Sequence, residues 1–452
     1  MIGKVLKDKN TLKSCHIYQM LRAHSHGRHF SFHTPGHKTG RWDITELAYS
    51  DNLSAPQGCI AEAERDIAHI LGAERSFILT DGSTSGVLSM LYAAKLLGVR
   101  KVAVCEASHK SVFNGCRLLG LEPMLYPQKK KGGIPVAYSG EELLETQKEL
   151  FTKAECVFVT SPDYYGNIED FSILRAYCDK TGKLLLVDGA HGGHLHFDRE
   201  LYAGAYADLW VDGVHKNLPA FTQGAVVSAR TKELAEKLRE GVDVFRTTSP
   251  SYPIMASVEY AVKYPRNISL EKRVKTWLLE SERLQSGGDW TKVCAVFGEN
   301  AFSAEKALHR EGIYPEFCDG NVIMFYLSPA TSKKQLRVLQ TNLKKLFEIY
   351  PLTKTSDHVC VEKEKNSKNT LQVCDEENGV QRNPAPIALN VEWVKLDEAV
   401  NRICAADCGL FPPCTPLIRA GERVTKDKIE LLKKADNVYG LDNGKILTKK
   451  VD

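Results

Sequence analysis

Short apolar runs alternate along this chain with longer segments of helical spacing. From Ile60 to Leu71 the apolar residues recur at helical intervals, and Ser76–Thr80 follows as a short buried strand. Val87–Gly98 (VLSMLYAAKLLG) is helical again, and Lys101–Cys105 is the next strand. The rhythm continues with strands at Glu155–Thr160, Leu184–Val187 and Leu209–Val211, and with a helix over Phe171–Lys180. Strands alternating with helices of this length predict βαβ units. The expected fold is therefore α/β, a mostly parallel sheet flanked by helices, with ligands collecting at the carboxyl ends of the strands.

The pattern is weaker at either end. Leu12–Ala23 predicts a short helix, followed by an irregular loop rich in histidine. After Ile254 a charged helical run, Ser269–Ser286, leads to a smaller α+β domain. There the spacing predicts a strand at Val322–Leu327, an amphipathic helix over Lys333–Tyr350, a strand at Ala385–Val394 and a helix over LDEAVNRICAAD (Leu396–Asp407). Residues 355–384 are polar and predict a surface loop. The organisation read from this is an N-terminal arm (1–55), a large domain (56–290) and a C-terminal small domain (291–452).

Composition narrows the function. Sixty basic and 56 acidic residues leave a net charge of +4, too balanced to point to nucleic acid or an anionic membrane as partner. No apolar run approaches the ~20 residues of a membrane span. The N-terminus, MIGKVLKDKNTLKSCHIY, lacks the apolar core of a signal peptide, so a cytoplasmic protein is expected. The 13 cysteines form no CxxC pair and read as reduced thiols, with Cys404 and Cys408 at a CxxxC spacing. His24, His26, His29, His33 and His37 are spaced across Pro35 and two glycines in no ligand geometry, so no metal is expected.

Candidate chemistry centres on Lys216, in DLWVDGVHKNLPAFTQGA (Asp208–Ala225). It follows an apolar run and His215, between Gly213 and Gly224, which makes it a candidate Schiff-base former. Taken alone it reads as one of the many solvated lysines. Asp188 ends the strand in LLLVDGAHGGH and offers a carboxylate at the mouth of a buried strand. A lysine for an aldehyde and an acid for a pyridine nitrogen together suggest pyridoxal 5'-phosphate. In DGSTSG (Asp81–Gly86), Ser83, Thr84 and Ser85 bring hydroxyls and free N–H groups to a helix N-terminus. That is a phosphate cradle or a plain N-cap. His191 orients Asp188, touches the cofactor, or is a buried structural histidine.

At this point the sequence resembles a family. HTPGHKTG (His33–Gly40), DGSTSG, SHKSVFNG (Ser108–Gly115), SPDYYG (Ser161–Gly166), DGAHGGH (Asp188–His194), VHKNLPAFTQGA (Val214–Ala225) and TTSPSY (Thr247–Tyr252) stand in the order seen in ornithine/lysine/arginine decarboxylases of the aspartate-aminotransferase fold. The resemblance runs over roughly the first 260 residues, and the chain's length suggests the compact arginine/lysine type. It implies pyridoxal-phosphate fold type I, with His109 stacked on the cofactor ring and His215 beside Lys216. It also implies a homodimer with shared active sites, in which Thr248 of one subunit reaches the phosphate held by the other.

The implied reaction is decarboxylation of a basic amino acid to CO₂ and a polyamine-pathway amine, with arginine favoured over lysine and ornithine. Asp51, Glu169, Asp319 and Glu422 are the candidates for reading the distal cation. The family pattern is broken at Glu106–Ala107, where arginine and asparagine are frequent, at Gly213, where serine is frequent, and at Cys414, where glycine is usual. Three rivals stay open. One is an aminotransferase with Arg402, Arg419 or Arg423 as carboxylate clamp; the others are an aldolase or lyase and a catalytically silent cofactor-binding regulator.

Overall fold

The computed structural model describes residues 6–352, 390–410, 416–435 and 437–450. The loop expected over 355–384, the start of the strand expected at Ala385, and Cys414 lie outside these residues.

Seven strands build the central sheet. They are Arg75–Leu79 (β1), Lys101–Cys105 (β2), Glu122–Tyr126 (β3), Cys156–Thr160 (β4), Leu184–Gly189 (β5), Leu209–Asp212 (β6) and Ala225–Ala229 (β7), in the spatial order β1-β7-β6-β5-β4-β2-β3. Strand β7 pairs antiparallel with both β1 and β6, and the other pairings are parallel. The sheet is buried on both faces, which explains strands that read as continuous apolar runs. Val157, Val159, Leu185 and Val187 pack into one layer, and Cys156, Phe158, Leu186 and Val211 into the other.

Helices cover both faces. The first layer takes His16–His26 (α2, after the short Lys9–Lys13, α1), Cys59–Leu71 (α3) and, further along the chain, Tyr252–Val262. The second takes Ser83–Leu96 (α4), Lys110–Leu119 (α5) and Lys232–Phe245. The single helix expected over Leu12–Ala23 is thus two. The Asp8 carboxylate caps α1 by accepting from Thr11 N–H at 2.7 Å, and buried Glu259 restarts the helix by accepting from His16 and Ile17 N–H at 2.6 and 2.9 Å.

Beyond the large unit, Ile268–Glu280 leads into a four-stranded antiparallel sheet of Leu284–Gln285 (β8), Lys292–Val296 (β9), Phe317–Cys318 (β10) and Val322–Tyr326 (β11). This sheet begins at Leu284, before residue 291, and shares a core with Leu270, Val274 and Leu278. Lys333–Ile349 packs on it and starts with a capping box between Ser332 and Gln335. A separate core gathers Val394, Cys404, Cys408, Ile418 and Ile446 from the C-terminal strands.

The helix expected over Leu396–Asp407 does not form. A single 3₁₀ turn, Leu396–Ala399, ends before Asn401, whose φ of 69° breaks the helix, and Ile403 and Cys404 then bridge to Arg423 and Thr448. Its apolar residues meet their partners across strands, so helical spacing was met by a different geometry.

Candidate active site

The carboxyl ends of β1, β2, β4, β5 and β6 open onto one cavity of about 450 Å³. Lys216, Asp188, His191, His109, His215, Ser83 and Thr84 all line it. Sequence positions up to 133 residues apart therefore meet at one edge of the sheet, as the strand-end rule demands.

Lys216 sits in the helical turn Val214–Asn217 that follows β6, its N–H donating to Gly213 O at 2.9 Å. Its Nζ lies 3.1 Å from His191 Nε2 and 5.4 Å from the centre of the Tyr164 ring. Burial, together with the charges of Lys216 and Lys292, holds the His191 imidazole well below its ordinary range, so the ring is neutral. His215 turns the other way, its Nδ1–H donating to Gly224 O at 2.9 Å.

Asp188 is 3% exposed, and one of its oxygens accepts from Ala190 N–H at 3.1 Å. Burial pushes its acid up, while the nearby Lys216 charge draws it back down. A carboxylate so placed is stabilised by any cation that enters the cavity.

His109 caps α5: Ser111 N–H donates to its Nδ1 at 3.2 Å, and Ser111 Oγ lies 2.8 Å from the same nitrogen. The backbone bond fixes the neutral tautomer with its proton on Nε2, and burial lowers the imidazole to about 4. The ring is therefore an uncharged flat surface.

The phosphate cradle is narrower than the motif suggested. Ser83 and Thr84 line the cavity at the first turn of α4, after Gly82 with φ 85°. Ser85 is turned away, donating to Asp81 Oδ1 at 2.7 Å and Gly82 O at 2.9 Å, so its hydroxyl is a structural tie. Thr248 is exposed and outside the lining of its own chain's cavity.

The four acidic candidates separate cleanly. Asp51 caps α3, accepting from Gly58 and Ile60 N–H at 2.8 and 2.9 Å. Asp319 accepts from Tyr165 OH at 2.8 Å and from two backbone N–H groups, and Glu422 pairs with Lys428 at 2.9 Å. Glu169 lines the cavity. Two further acids there, Asp163 and Glu316, escaped sequence reading; Glu316 arrives from beside β10, and no local pattern announces such a long-range approach. The arginines considered as clamps are engaged elsewhere. Arg402 pairs with Glu392, Arg423 reaches Asn401 O, and Arg419 reaches Glu106 O and lies over the Phe113 ring at 4.6 Å.

These residues fit pyridoxal phosphate. Lys216 offers the amine, Asp188 the counter-ion for a ring nitrogen and His109 a stacking face. Ser83 Oγ and Ser108 Oγ are buried without a hydrogen-bond partner among the described residues, as acceptors or donors awaiting a polar group would be. The architecture is fold type I of the pyridoxal-phosphate enzymes. It superposes on the constitutive lysine decarboxylase of Escherichia coli with a TM-score of 0.70 and 17% identity, over 97% of this chain and 82% of that one.

Residues 41–286 match the family model described as the Orn/Lys/Arg decarboxylase, major domain, and the chain belongs to that family. Among its relatives are an uncharacterised protein of Bacillus subtilis, YaaO, 28% identical over 92% of this chain and 93% of that one, and an arginine decarboxylase of Bacillus anthracis, 24% identical over 92% of each. The protein is thus a pyridoxal-phosphate-dependent decarboxylase, a lyase acting among the basic amino acids.

Proposed function

We propose that the protein decarboxylates arginine, ahead of lysine and ornithine, as a cytoplasmic homodimer contributing to polyamine formation. The observation that carries the site assignment is the convergence of Lys216, Asp188 and His109 on one cavity. Likeness to an arginine decarboxylase over 92% of each chain supports the choice of substrate.

Pyridoxal phosphate supplies an electron sink for the pair left behind when CO₂ departs. Lys216 would provide the amine that holds the cofactor. It stands beside neutral His191, placed to return a proton to the substrate's Cα. Asp188 keeps the ring nitrogen protonated by pairing with it. His109 and the wall of Val87, Val136 and Ala137 exclude water, which favours loss of a carboxylate as neutral CO₂. Ser83 and Thr84 hold the phosphate with the first N–H groups of α4. Thr248 completes that cradle from the second subunit, in place of the hydroxyl that Gly213 lacks. The division into an arm (1–55), a cofactor domain (56–290) and a small domain (291–452) belongs to the same reading.

The experiment is to incubate the purified protein and pyridoxal phosphate separately with arginine, lysine and ornithine, recording CO₂, the amine formed and the cofactor spectrum. Agmatine as the preferred product supports the proposal. Conversion of the cofactor to its amine form without CO₂ would point to an aminotransferase, and bound cofactor without turnover to a silent regulator.

A further inference from the structure

A basic amino acid brings two cations into the cavity. Its α-amine must meet Lys216, so its distal charge lies several methylenes away and needs an anionic partner there. Two carboxyl groups lining the cavity are held by no hydrogen bond or ion pair among the described residues, Glu169 and Glu316. Of the other two, Asp188 is assigned to the cofactor's ring nitrogen, and Asp163 is tied into its own turn by Asn167 and the N–H of Tyr165.

Their surroundings distinguish the two. Burial raises the Glu316 acid while the charges of Lys216 and Lys292 lower it, so it belongs to the anchoring end. Among the described residues no lysine acts on Glu169; burial raises its acid, and the charges it feels are those of Asp163 and Asp170. It shares the cavity lining with Cys105 and Tyr126, at the ends of β2 and β3 on the far side of β4 from Lys216, and with Tyr138 from the loop after β3. Two tyrosine rings beside a carboxyl group make a recess suited to an alkyl stem ending in a cation, through apolar contact and ring faces. Burial raises the Glu169 acid to about 8, so it is largely protonated at neutral pH, and a cation beside it would restore its charge.

We infer that Glu169 is the specificity-determining residue that reads the substrate's distal cation, with Tyr126 and Tyr138 enclosing the stem. This rests on the basic-amino-acid decarboxylase reading and assigns a role within it. The test compares Glu169→Gln and Glu316→Gln with the unchanged protein in two ways. Calorimetry measures binding of the product amines and of norleucine, which has a comparable stem without a distal charge. Kinetics measures decarboxylation of arginine, lysine and ornithine.

Glu169→Gln is expected to weaken amine binding and kcat/KM about 30- to 1000-fold, the range for losing one partner of a desolvated charge pair. Norleucine binding, cofactor stoichiometry and melting temperature should stay unchanged. Equal losses for the amine and norleucine would overturn the inference, as would a selective loss confined to Glu316→Gln or no loss at all. If the unchanged protein decarboxylates none of the three substrates, the parent reading falls as well; if it decarboxylates one, only the role of Glu169 is at stake.

Discussion

His191 Nε2 stands 3.1 Å from Lys216 Nζ, and the same imidazole packs on the Tyr164 ring at 4.4 Å between centres. A neutral ring accepting at Nε2 carries its proton on Nδ1, which is buried without a partner among the described residues. His191 thus has one hand on the lysine and a second N–H ready for a polar group in the cavity. Replacing it by phenylalanine keeps the contacts with Tyr164 and Tyr326 and removes both polar functions. We expect His191→Phe to bind cofactor stoichiometrically and to slow formation of the amine in a single turnover about 100-fold, the lower range for a group assisting proton transfer. An unchanged single-turnover rate would reduce His191 to a packing residue.

Gly213 stands where serine is frequent in the family, and its surroundings explain why. A Cβ there would come within 2.4 Å of Ala190 O and 2.8 Å of Ser83 Oγ, although φ is −83° and any residue could adopt it. The constraint is proximity to backbone, which cannot swing aside. Gly213→Ser should therefore not restore a phosphate contact. Its expected effect is about 10-fold weaker pyridoxal phosphate binding and a loss of about 1–3 kcal/mol in stability from overpacking. Fluorescence titration of the cofactor and urea unfolding check the two halves separately.

Asp212, at the end of β6, is fully buried with Tyr202 OH donating to its Oδ2 at 2.6 Å, and its Oδ1 has no partner among the described residues. Burial, with Asp188 nearby, raises its acid from 3.8 to about 7 despite bonds that favour the anion. The folded protein therefore binds a proton that the unfolded chain releases near pH 4, and stability falls as pH rises through this interval. Asparagine can accept the same Tyr202 bond without titrating. Asp212→Asn should match the unchanged protein at pH 4, gain steadily to pH 7 and keep a constant advantage of a few kcal/mol above it. Melting curves across pH 4–9 show this directly, and a pH-independent difference would exclude it.

What the sequence revealed and what it hid follow from the range of the interactions. Asp188, His109, Ser83 and Lys216 each sit where an apolar strand gives way to glycine or a helix start, so local pattern and family motif located them together. Ser85 belongs to the same motif, yet Asp81 four residues earlier takes its hydroxyl, a choice decided by side-chain direction on the first turn. Asp81 also accepts from Thr247 N–H at 2.9 Å, tying the distant threonine-rich loop to this turn. Strand β7, AVVSA, is an apolar run that lies directly after the lysine segment and outside the expected strands. Glu316 reaches the cavity from beside β10 and Tyr138 from the loop after β3, and only tertiary packing puts them there.

Behind the cavity wall lies a buried charge cluster whose energetics can be tested. His194 Nε2 is 2.8 Å and Lys292 Nζ 3.5 Å from the Asp289 carboxylate, and all three side chains are at most 1% exposed. Burial alone would raise the Asp289 acid, but His194 and Lys292 outweigh it and hold the group far below the usual carboxylate range. Thr291 Oγ1 donates to Asp289 at 2.8 Å and accepts from Asn217 Nδ2 at 3.2 Å, one residue from Lys216. The cluster thus fastens the start of β9 to the lysine turn. Asp289→Asn leaves Lys292 buried without its counter-charge and should cost about 3–5 kcal/mol, with activity falling as the turn loosens. Changing Lys292 to methionine in the same protein removes the stranded charge and should recover part of that stability. The double-mutant cycle, read by urea unfolding, should therefore show a coupling of more than about 1 kcal/mol; additive losses would mean that Asp289 acts through Thr291 and the backbone rather than through charge.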